Sequence, residues 1–147
     1  MTETLVLNRV VQDLKGTFHF AEDAVKYFSS GDIILLYGDL GSGKTTLVRQ
    51  FVQLLGLNTD VSSPSFSLIN RYEGVVSVNH IDLYRIKGAA ELSNLGLDDL
   101  WGTEAISFVE WPQMIEKNVF WMHYKLTIGT KIKKPHWREF KLYKIDE

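Results

Sequence analysis

The chain has 147 residues, of which 45% are hydrophobic and 23% charged, with a formal net charge of −2 and no cysteine. This composition is typical of a globular protein and excludes disulfides and thiolate chemistry, which suits a cytoplasmic location. No apolar run approaches the roughly 18 residues of a membrane-spanning helix, and the charge argues against a strongly basic nucleic-acid binder, so we expect one domain over residues 1–147 without a membrane segment.

A helix and a buried strand are predicted before residue 38. Residues 19–29 carry large apolar side chains at helical spacing, and Gly31 follows them as a stop signal. The run 32–37 reads DIILLY and is typical of a buried strand. This order predicts a strand that leads directly into a glycine-rich segment.

Residues 38–45 read GDLGSGKT and match the phosphate-binding loop G-x-x-x-x-G-K-[ST] at every fixed position. Its glycines allow a tight turn whose N–H groups point at phosphate oxygens, and a helix predicted over 45–55 directs its positive end at the same anion. We expect Lys44 to contact the β- and γ-phosphates and the hydroxyl of Thr45 to bind Mg²⁺. The alternative is a glycine-rich turn with a chance lysine, against which the flanking strand and helix argue. The expected nucleotide-binding set is Gly38, Asp39, Leu40, Gly41, Ser42, Gly43, Lys44, Thr45 and Thr46.

Beyond a loop at 60–65, the remaining segments carry mostly strand patterns. These patterns occur at 66–72, 75–81, 105–109, 121–128 and 137–145. Glu73 and Gly74 predict a hairpin between the first two, and Pro112 stops the third, because proline cannot donate to a central ladder. A short helix is predicted over 89–95. The sequence therefore predicts an α/β fold with a mainly parallel sheet flanked by helices, carrying the phosphate loop at a strand's carboxyl end and extended by antiparallel hairpin strands.

Two acids are candidates for the metal that nucleotide hydrolysis requires. Such an acid usually stands at the end of a strand next to the phosphate loop. Asp82 follows the predicted strand 75–81, and Glu110 follows 105–109. Each could be an ordinary surface acid at a strand end, but a phosphate loop needs at least one acid near Thr45. We expect Asp82, Glu110 and Thr45 all to lie at the metal.

Four short segments stand in a fixed order along the chain. They read GDLGSGKTT at 38–46, SPSF at 63–66, HIDLYR at 80–85 and VEWP at 109–112. Together they resemble the motifs of the TsaE (YjeE) family of ATPases, in the same order and at compatible spacings. The resemblance covers about residues 17–112 and loosens in the tail. It departs at Ser65, where the family usually has threonine, so the hydroxyl is kept and a methyl group is lost.

The resemblance implies an accessory ATPase in the bacterial synthesis of threonylcarbamoyladenosine, a modified base beside the anticodon of tRNA. It implies ATP or ADP and Mg²⁺ as cofactors, with slow hydrolysis when the protein is alone. The implied partners are TsaD and TsaB, on whose heterodimer the protein docks, so that it meets tRNA only indirectly. Transfer of the threonylcarbamoyl group belongs to TsaD, and ATP hydrolysis is implied to reset the complex.

Residue roles also follow from the resemblance. It implies that Lys44 contacts phosphate, that Thr45 binds Mg²⁺ and that Glu110 completes the metal shell. It implies that Asp82 is needed for hydrolysis, so Asp82, Glu110 and Lys44 form the expected catalytic set. Trp111 resembles the tryptophan beside the nucleotide, with a plain core aromatic as the alternative.

Further positions are expected near the site on weaker signals. Ser63 and Ser65 would form a switch that responds to the γ-phosphate, unless they form an ordinary serine-proline turn. Arg138 is expected to approach the base from a tail strand, and Thr17 to open the first helix on the same side, although threonine is also a good N-cap. His80 is either a histidine with a satisfied hydrogen bond within its strand or part of the site.

Two questions stay open at the level of sequence. Residues 131–147 carry six basic and three acidic side chains with interleaved aromatics, a pattern that suits single-stranded RNA or, as we favour, a protected edge strand. A small-molecule or nucleoside kinase shares the phosphate loop, but no arginine-rich lid is evident. A GTPase would need an N-K-x-D motif, which the chain lacks.

Overall fold

The computed structural model describes residues 1–57, 60–61 and 68–146. Within these residues the strands are β1 (Thr2–Val11), β2 (Ile33–Gly38), β3 (Ile69–Tyr72), β4 (Val78–Asp82), β5 (Ile106–Glu110), β6 (His123–Lys131) and β7 (Lys134–Asp146). The helices are α1 (Leu14–Ala24), α2 (Lys44–Leu54), α3 (Ala89–Ser93) and α4 (Leu97–Trp101). Single 3₁₀ turns occur at Val25–Tyr27, Pro112–Met114 and Glu116–Asn118.

All seven strands form one sheet, in the order β1-β7-β6-β2-β5-β4-β3. β2 pairs in parallel with β5 and β6, and β4 pairs in parallel with β5. The pairs β1–β7, β6–β7 and β3–β4 are antiparallel. The predicted α/β fold is confirmed, and the sheet is mixed, with parallel pairs at its centre and antiparallel pairs toward both edges.

The central strands are buried because helices cover both faces of the sheet there. One core packs α1 and α2 against the sheet around the stacked rings of Phe51 and Phe108, whose centres are 5.2 Å apart. The other core packs α3 and α4 against Ile33, Leu35 and Val109 on the opposite face. Because β2, β4 and β5 are parallel, their carboxyl ends meet at one edge of the sheet, where α2 begins.

The first helix begins earlier than its apolar spacing predicts. α1 starts at Leu14 rather than at residue 19, because the carboxylate of Asp13 caps it and accepts the N–H of Gly16 at 2.8 Å. The prediction that Thr17 opens or caps this helix is therefore wrong. Thr17 lies inside the helix, where its hydroxyl donates to the carbonyl of Asp13 at 3.3 Å.

Other predicted elements exist, with shifted boundaries. The predicted hairpin is β3–β4, of which residues 66 and 67 lie outside the described part, and both tail strands are longer than predicted. β1 and α4 were not predicted. β1 runs along β7 from the pair Thr2–Asp146 to the pair Val11–Arg138. Because β7 also pairs with β6, it is an inner strand of the sheet, and the favoured reading of the basic tail as an edge strand is wrong. None of the helices in the described ranges combines the length and the hydropathy that crossing a bilayer requires.

Candidate nucleotide-binding site

The glycine-rich loop connects the end of β2 to the start of α2. Gly41 and Gly43 have φ angles of 78° and 104°, in the left-handed region that residues with a Cβ rarely adopt. The N–H of Ser42 donates to the carbonyl of Asp39 at 3.0 Å and closes the turn. Gly43 is the N-cap of α2 and has no side chain that could bond the N–H groups of the first turn. These donors and the positive helix end therefore form a cradle for an anion.

The start of the loop has no room for a side chain at Gly38. A Cβ there would lie 2.5 Å from the hydroxyl of Ser42 and 3.1 Å from the carbonyl oxygen of Ile128. Ser42 is buried, and its hydroxyl has no hydrogen-bond partner among the described residues. A buried hydroxyl without a partner costs free energy unless a ligand or water bonds it. The loop therefore fits a phosphate group, whose oxygens are the acceptors that this hydroxyl needs.

Lys44 places a positive charge inside the loop. Its side chain is buried, and its ammonium donates to the carbonyls of Gly38 at 2.5 Å and Asp39 at 3.1 Å. The same ammonium lies 4.1 Å from the centre of the Trp111 ring. Burial lowers the pKa of Lys44, and three nearby carboxylates oppose that shift. The lysine is thus held at the loop by groups that a polyphosphate can replace.

The two predicted acids end adjacent parallel strands and are register partners, Asp82 on β4 and Glu110 on β5. Both side chains are buried. The hydroxyl of Thr45 donates to the carboxylate of Glu110 at 3.0 Å, and Asp82 accepts the N–H of Tyr84 at 2.9 Å. Together with residues 40–46 these side chains line a cavity of about 310 Å³. The structure thus brings both acids and Thr45 to one end of the sheet.

The oxygen atoms in this cavity suit a magnesium ion. Mg²⁺ prefers oxygen ligands in octahedral geometry and usually keeps several waters, with one or two carboxylates and phosphate oxygens. In the ranges that the structure covers, no group of three or more His, Cys, Asp or Glu side chains could hold a metal. Thr45, Glu110 and Asp82 line the same cavity beside the phosphate loop, and their oxygen atoms could hold Mg²⁺ together with a nucleotide.

His80 also lies in this cluster of side chains. The sequence did not decide whether His80 is part of the site. Its side chain is fully buried on β4, and its Nε2 lies 2.5 Å from a carboxylate oxygen of Glu110. The same oxygen accepts the hydroxyl of Thr45. Glu110 is thus bonded from two sides, by the neighbouring strand and by the first turn of α2.

Trp111 lies at the rim of the same cavity. It directly follows β5 with φ 55° and ψ 57°, a left-handed conformation that is uncommon for a bulky residue. Its ring is partly exposed and packs against Tyr84, with ring centres 4.8 Å apart. The reading of Trp111 as a buried core aromatic is wrong. Tyr84 was not predicted, although it stands within the same short segment as Asp82.

We expect Trp111 to report nucleotide binding by fluorescence. Its ring lines the cavity beside the phosphate loop and contacts the ammonium of Lys44. A phosphate that displaces this ammonium should therefore change the surroundings of the indole. The measurement compares the change in emission on adding ADP to the wild-type protein and to Trp111→Phe. The three other tryptophans, at positions 101, 121 and 137, serve as the internal control. An equal change in both proteins would contradict the placement of Trp111 beside the nucleotide.

A second cavity, of about 420 Å³, shares the loop residues 41–43 with the first. It is also lined by Thr46, Thr17 and Arg138. Thr17 is buried, and the guanidinium of Arg138 donates to the carbonyl of Ser42 at 2.8 Å. The structure therefore brings Thr17 from α1 and Arg138 from β7 together beside the phosphate loop.

The remaining predicted site residues make fewer contacts at the phosphate loop or lie outside the described residues. Leu40 is exposed and lines the first cavity, whereas Asp39 has an exposed side chain and contributes its carbonyl to the bond with Lys44. The predicted switch serines, Ser63 and Ser65, lie outside the described residues.

A family model described as "Threonylcarbamoyl adenosine biosynthesis protein TsaE" matches residues 11–140, which is most of the chain. The chain belongs to the TsaE family. The resemblance in four motifs is thereby confirmed, and the family match extends into β7, where the motifs no longer reach.

Individual TsaE relatives are similar to the chain over much of its length. The "tRNA threonylcarbamoyladenosine biosynthesis protein TsaE" of Bacillus subtilis is 40% identical over 90 residues, which are 60% of this chain and 56% of that protein. The protein of the same name from Synechocystis is 37% identical over 108 residues, covering 70% and 68%. The crystal structure of Bacillus subtilis YdiB matches with a TM-score of 0.79 and 26% identity over 97% of this chain and 87% of that one. The chain thus spans little more than half of its Bacillus subtilis TsaE relative and about two thirds of the Synechocystis one.

Proposed function

We propose that this TsaE-family protein binds ATP with Mg²⁺, hydrolyses it, and serves the synthesis of threonylcarbamoyladenosine in tRNA. The observation that carries the proposal is the bond between Thr45 in the phosphate loop and Glu110 on the neighbouring strand β5. In phosphate-loop NTPases the loop hydroxyl and an acid on an adjacent strand together hold the metal ion. Family membership supports the process, since the curated relatives are named for threonylcarbamoyladenosine biosynthesis.

Each residue at the loop has a proposed part in hydrolysis. The ammonium of Lys44 contacts the β- and γ-phosphates, and the N–H groups of the loop and the hydroxyl of Ser42 bond the phosphate oxygens. Thr45 and Glu110 would hold Mg²⁺, which would offset the negative charge of the β- and γ-phosphates. Asp82 would accept a hydrogen bond from the attacking water and orient it, as a buried carboxylate in this cavity is able to do.

The second cavity is the proposed site of the adenosine. It adjoins the phosphate loop directly, because both cavities share residues 41–43. The hydroxyl of Thr17 and the planar guanidinium of Arg138 offer hydrogen bonds and a stacking surface to a base. The switch proposed for Ser63 and Ser65 would respond to the γ-phosphate and so couple hydrolysis to a binding surface.

TsaB and TsaD are the proposed partners, with tRNA reached only through their complex. The two cavities beside the loop are the proposed sites for phosphates, metal and base, and the reaction proposed for them is cleavage of ATP. An ATPase of this kind affects other molecules by a change of shape that depends on the γ-phosphate. We therefore propose that hydrolysis is slow in the isolated protein and faster in the complex.

The proposed role in threonylcarbamoyladenosine synthesis is tested by analysing the tRNA of cells depleted of the protein. We expect threonylcarbamoyladenosine to fall strongly in such cells, to return with a wild-type copy and to stay low with a Lys44→Ala copy. Mass spectrometry of tRNA nucleosides measures each level. Normal levels of the modified base in depleted cells would contradict the proposal, and a small molecule phosphorylated by the purified protein would favour a kinase instead.

A further inference from the structure

His80 lies on β4 two residues before Asp82, on the side of the sheet that α2 covers. Side chains two apart on a strand share a face. The register pairs His80 with Phe108 and Asp82 with Glu110, so all four side chains face the same way. From this position the ring of His80 contacts Glu110 diagonally across the two strands, with Nε2 2.5 Å from a carboxylate oxygen.

We propose that His80 is a positioning residue, which holds the Glu110 carboxylate against Thr45 so that metal and nucleotide bind together. The proposal rests on the proposed function, in which Thr45 and Glu110 hold the metal. His80 itself touches neither the nucleotide nor the metal in this scheme. It acts only through the carboxylate that it bonds.

The direction of the hydrogen bond follows from the chemistry of the two groups. An ionised carboxylate only accepts, so Nε2 of His80 carries the proton and donates. The other ring nitrogen, Nδ1, is buried and has no hydrogen-bond partner within the described residues. The bond observed for His80 therefore goes to an acid of the proposed site.

Fixing Glu110 in advance favours metal binding for an entropic reason. Ordering a free glutamate side chain costs rotamer entropy, which a carboxylate that is already held in place does not lose again on binding a metal. Glu110 is already ordered by two donors that come from different elements, His80 on β4 and Thr45 on α2. Of these two donors, Thr45 is also a proposed metal ligand. His80 is therefore the donor that orders Glu110 without itself binding the metal. Groups that orient a ligand in this way commonly change metal affinity by about 10- to 100-fold.

The test compares two amides at position 80. In His80→Gln the side-chain amide nitrogen reaches roughly the position of Nε2, and in His80→Asn it reaches only that of Nδ1. Both variants are polar and neutral, so they differ mainly in where the donor stands. Asn79→Ala is the matched control, because Asn79 is equally buried on β4 and also bonds across to β5, through the hydroxyl of Ser107 at 3.2 Å, on the opposite face.

Calorimetry measures ADP affinity in EDTA and at rising Mg²⁺ concentrations, and thermal unfolding monitors the fold. We expect all proteins to bind ADP in EDTA within about twofold of each other. We expect His80→Asn to need about tenfold more Mg²⁺ for half of the metal-dependent gain in affinity, and His80→Gln to stay near the wild type. Asn79→Ala should lose thermal stability without changing the Mg²⁺ requirement.

Several outcomes would overturn the role of His80. One is an equal Mg²⁺ requirement for His80→Asn and His80→Gln. Another is a rise in the Mg²⁺ requirement of Asn79→Ala as large as that of His80→Asn. Glu110→Gln separates this failure from that of the proposed function. If Glu110→Gln loses the metal-dependent gain while His80→Asn keeps it, only the role of His80 fails. If the wild type shows no metal-dependent gain at all, the proposed function fails and the role of His80 with it.

Discussion

Replacing Lys44 with alanine is expected to abolish productive ATP binding. The ammonium is buried at the phosphate loop, where it bonds two backbone carbonyls, at Gly38 and Asp39, that a phosphate would replace. A hydrogen bond to a charged group contributes about 1.5–3 kcal/mol, and loss of one such bond lowers affinity about 10- to 100-fold. Lys44 offers more than one, so we expect the larger loss for ATP and ADP in isothermal titration calorimetry.

The fold itself should tolerate this change. Removing a buried ammonium relieves the cost of its desolvation and offsets the loss of its bonds to the loop. The unliganded Lys44→Ala protein should therefore unfold thermally close to the wild type. Lys117→Ala, which removes an exposed lysine from the turn Glu116–Asn118, is the control and should bind nucleotide normally. Unchanged affinity in Lys44→Ala would contradict the assignment of the phosphate loop.

Asp82→Ala and Glu110→Ala are expected to separate nucleotide binding from hydrolysis. Both acids stand at the ends of β4 and β5 beside Thr45, where in the proposed mechanism they would act on metal and water rather than on the base. We expect both variants to keep metal-free ADP affinity within a fewfold of the wild type. Phosphate release in the presence of partners should fall by about a hundredfold or more, because metal contacts are worth several kcal/mol at the transition state.

The two acids need matched controls because both are buried. Glu110→Gln keeps an oxygen that accepts from Thr45 and His80, and so preserves the packing while removing the charge. Asp98→Ala removes an exposed acid from α4, outside the cavities at the phosphate loop, and should leave phosphate release unchanged. Full phosphate release by both Asp82→Ala and Glu110→Ala would remove both acids from the mechanism.

The sequence predicted the centre of the site because its constraints are local or topological. The conformation of the loop at 38–45 follows from its own glycines, which adopt left-handed angles at Gly41 and Gly43. The meeting of Asp82 with Glu110 follows from parallel strands, whose carboxyl ends share one edge of the sheet. No knowledge of side-chain register was needed for either prediction.

Features that depend on register or on distant pairing could not be predicted in the same way. The bond from His80 to Glu110 joins residues 30 apart and exists only because β4 and β5 align Asp82 with Glu110. β1 was missed because it lies at an edge, where most of its side chains are exposed and no clear alternation marks a buried face. The predicted start of α1 was wrong because the helix begins at the N-cap Asp13, before the apolar residues at helical spacing.

The pairing of β1 with β7 has a consequence for how the protein is made. Of the strands described, β1 bonds only to β7, so β1 stays without this partner until β7 has been synthesised. At about 5–20 residues per second this wait is on the order of ten seconds. Arg138, which supports the loop at Ser42, arrives with the same late strand. The second cavity therefore closes only after β7 has been synthesised, and a chain stalled before β7 carries Lys44, Thr45 and Glu110 but lacks the wall that Arg138 supplies.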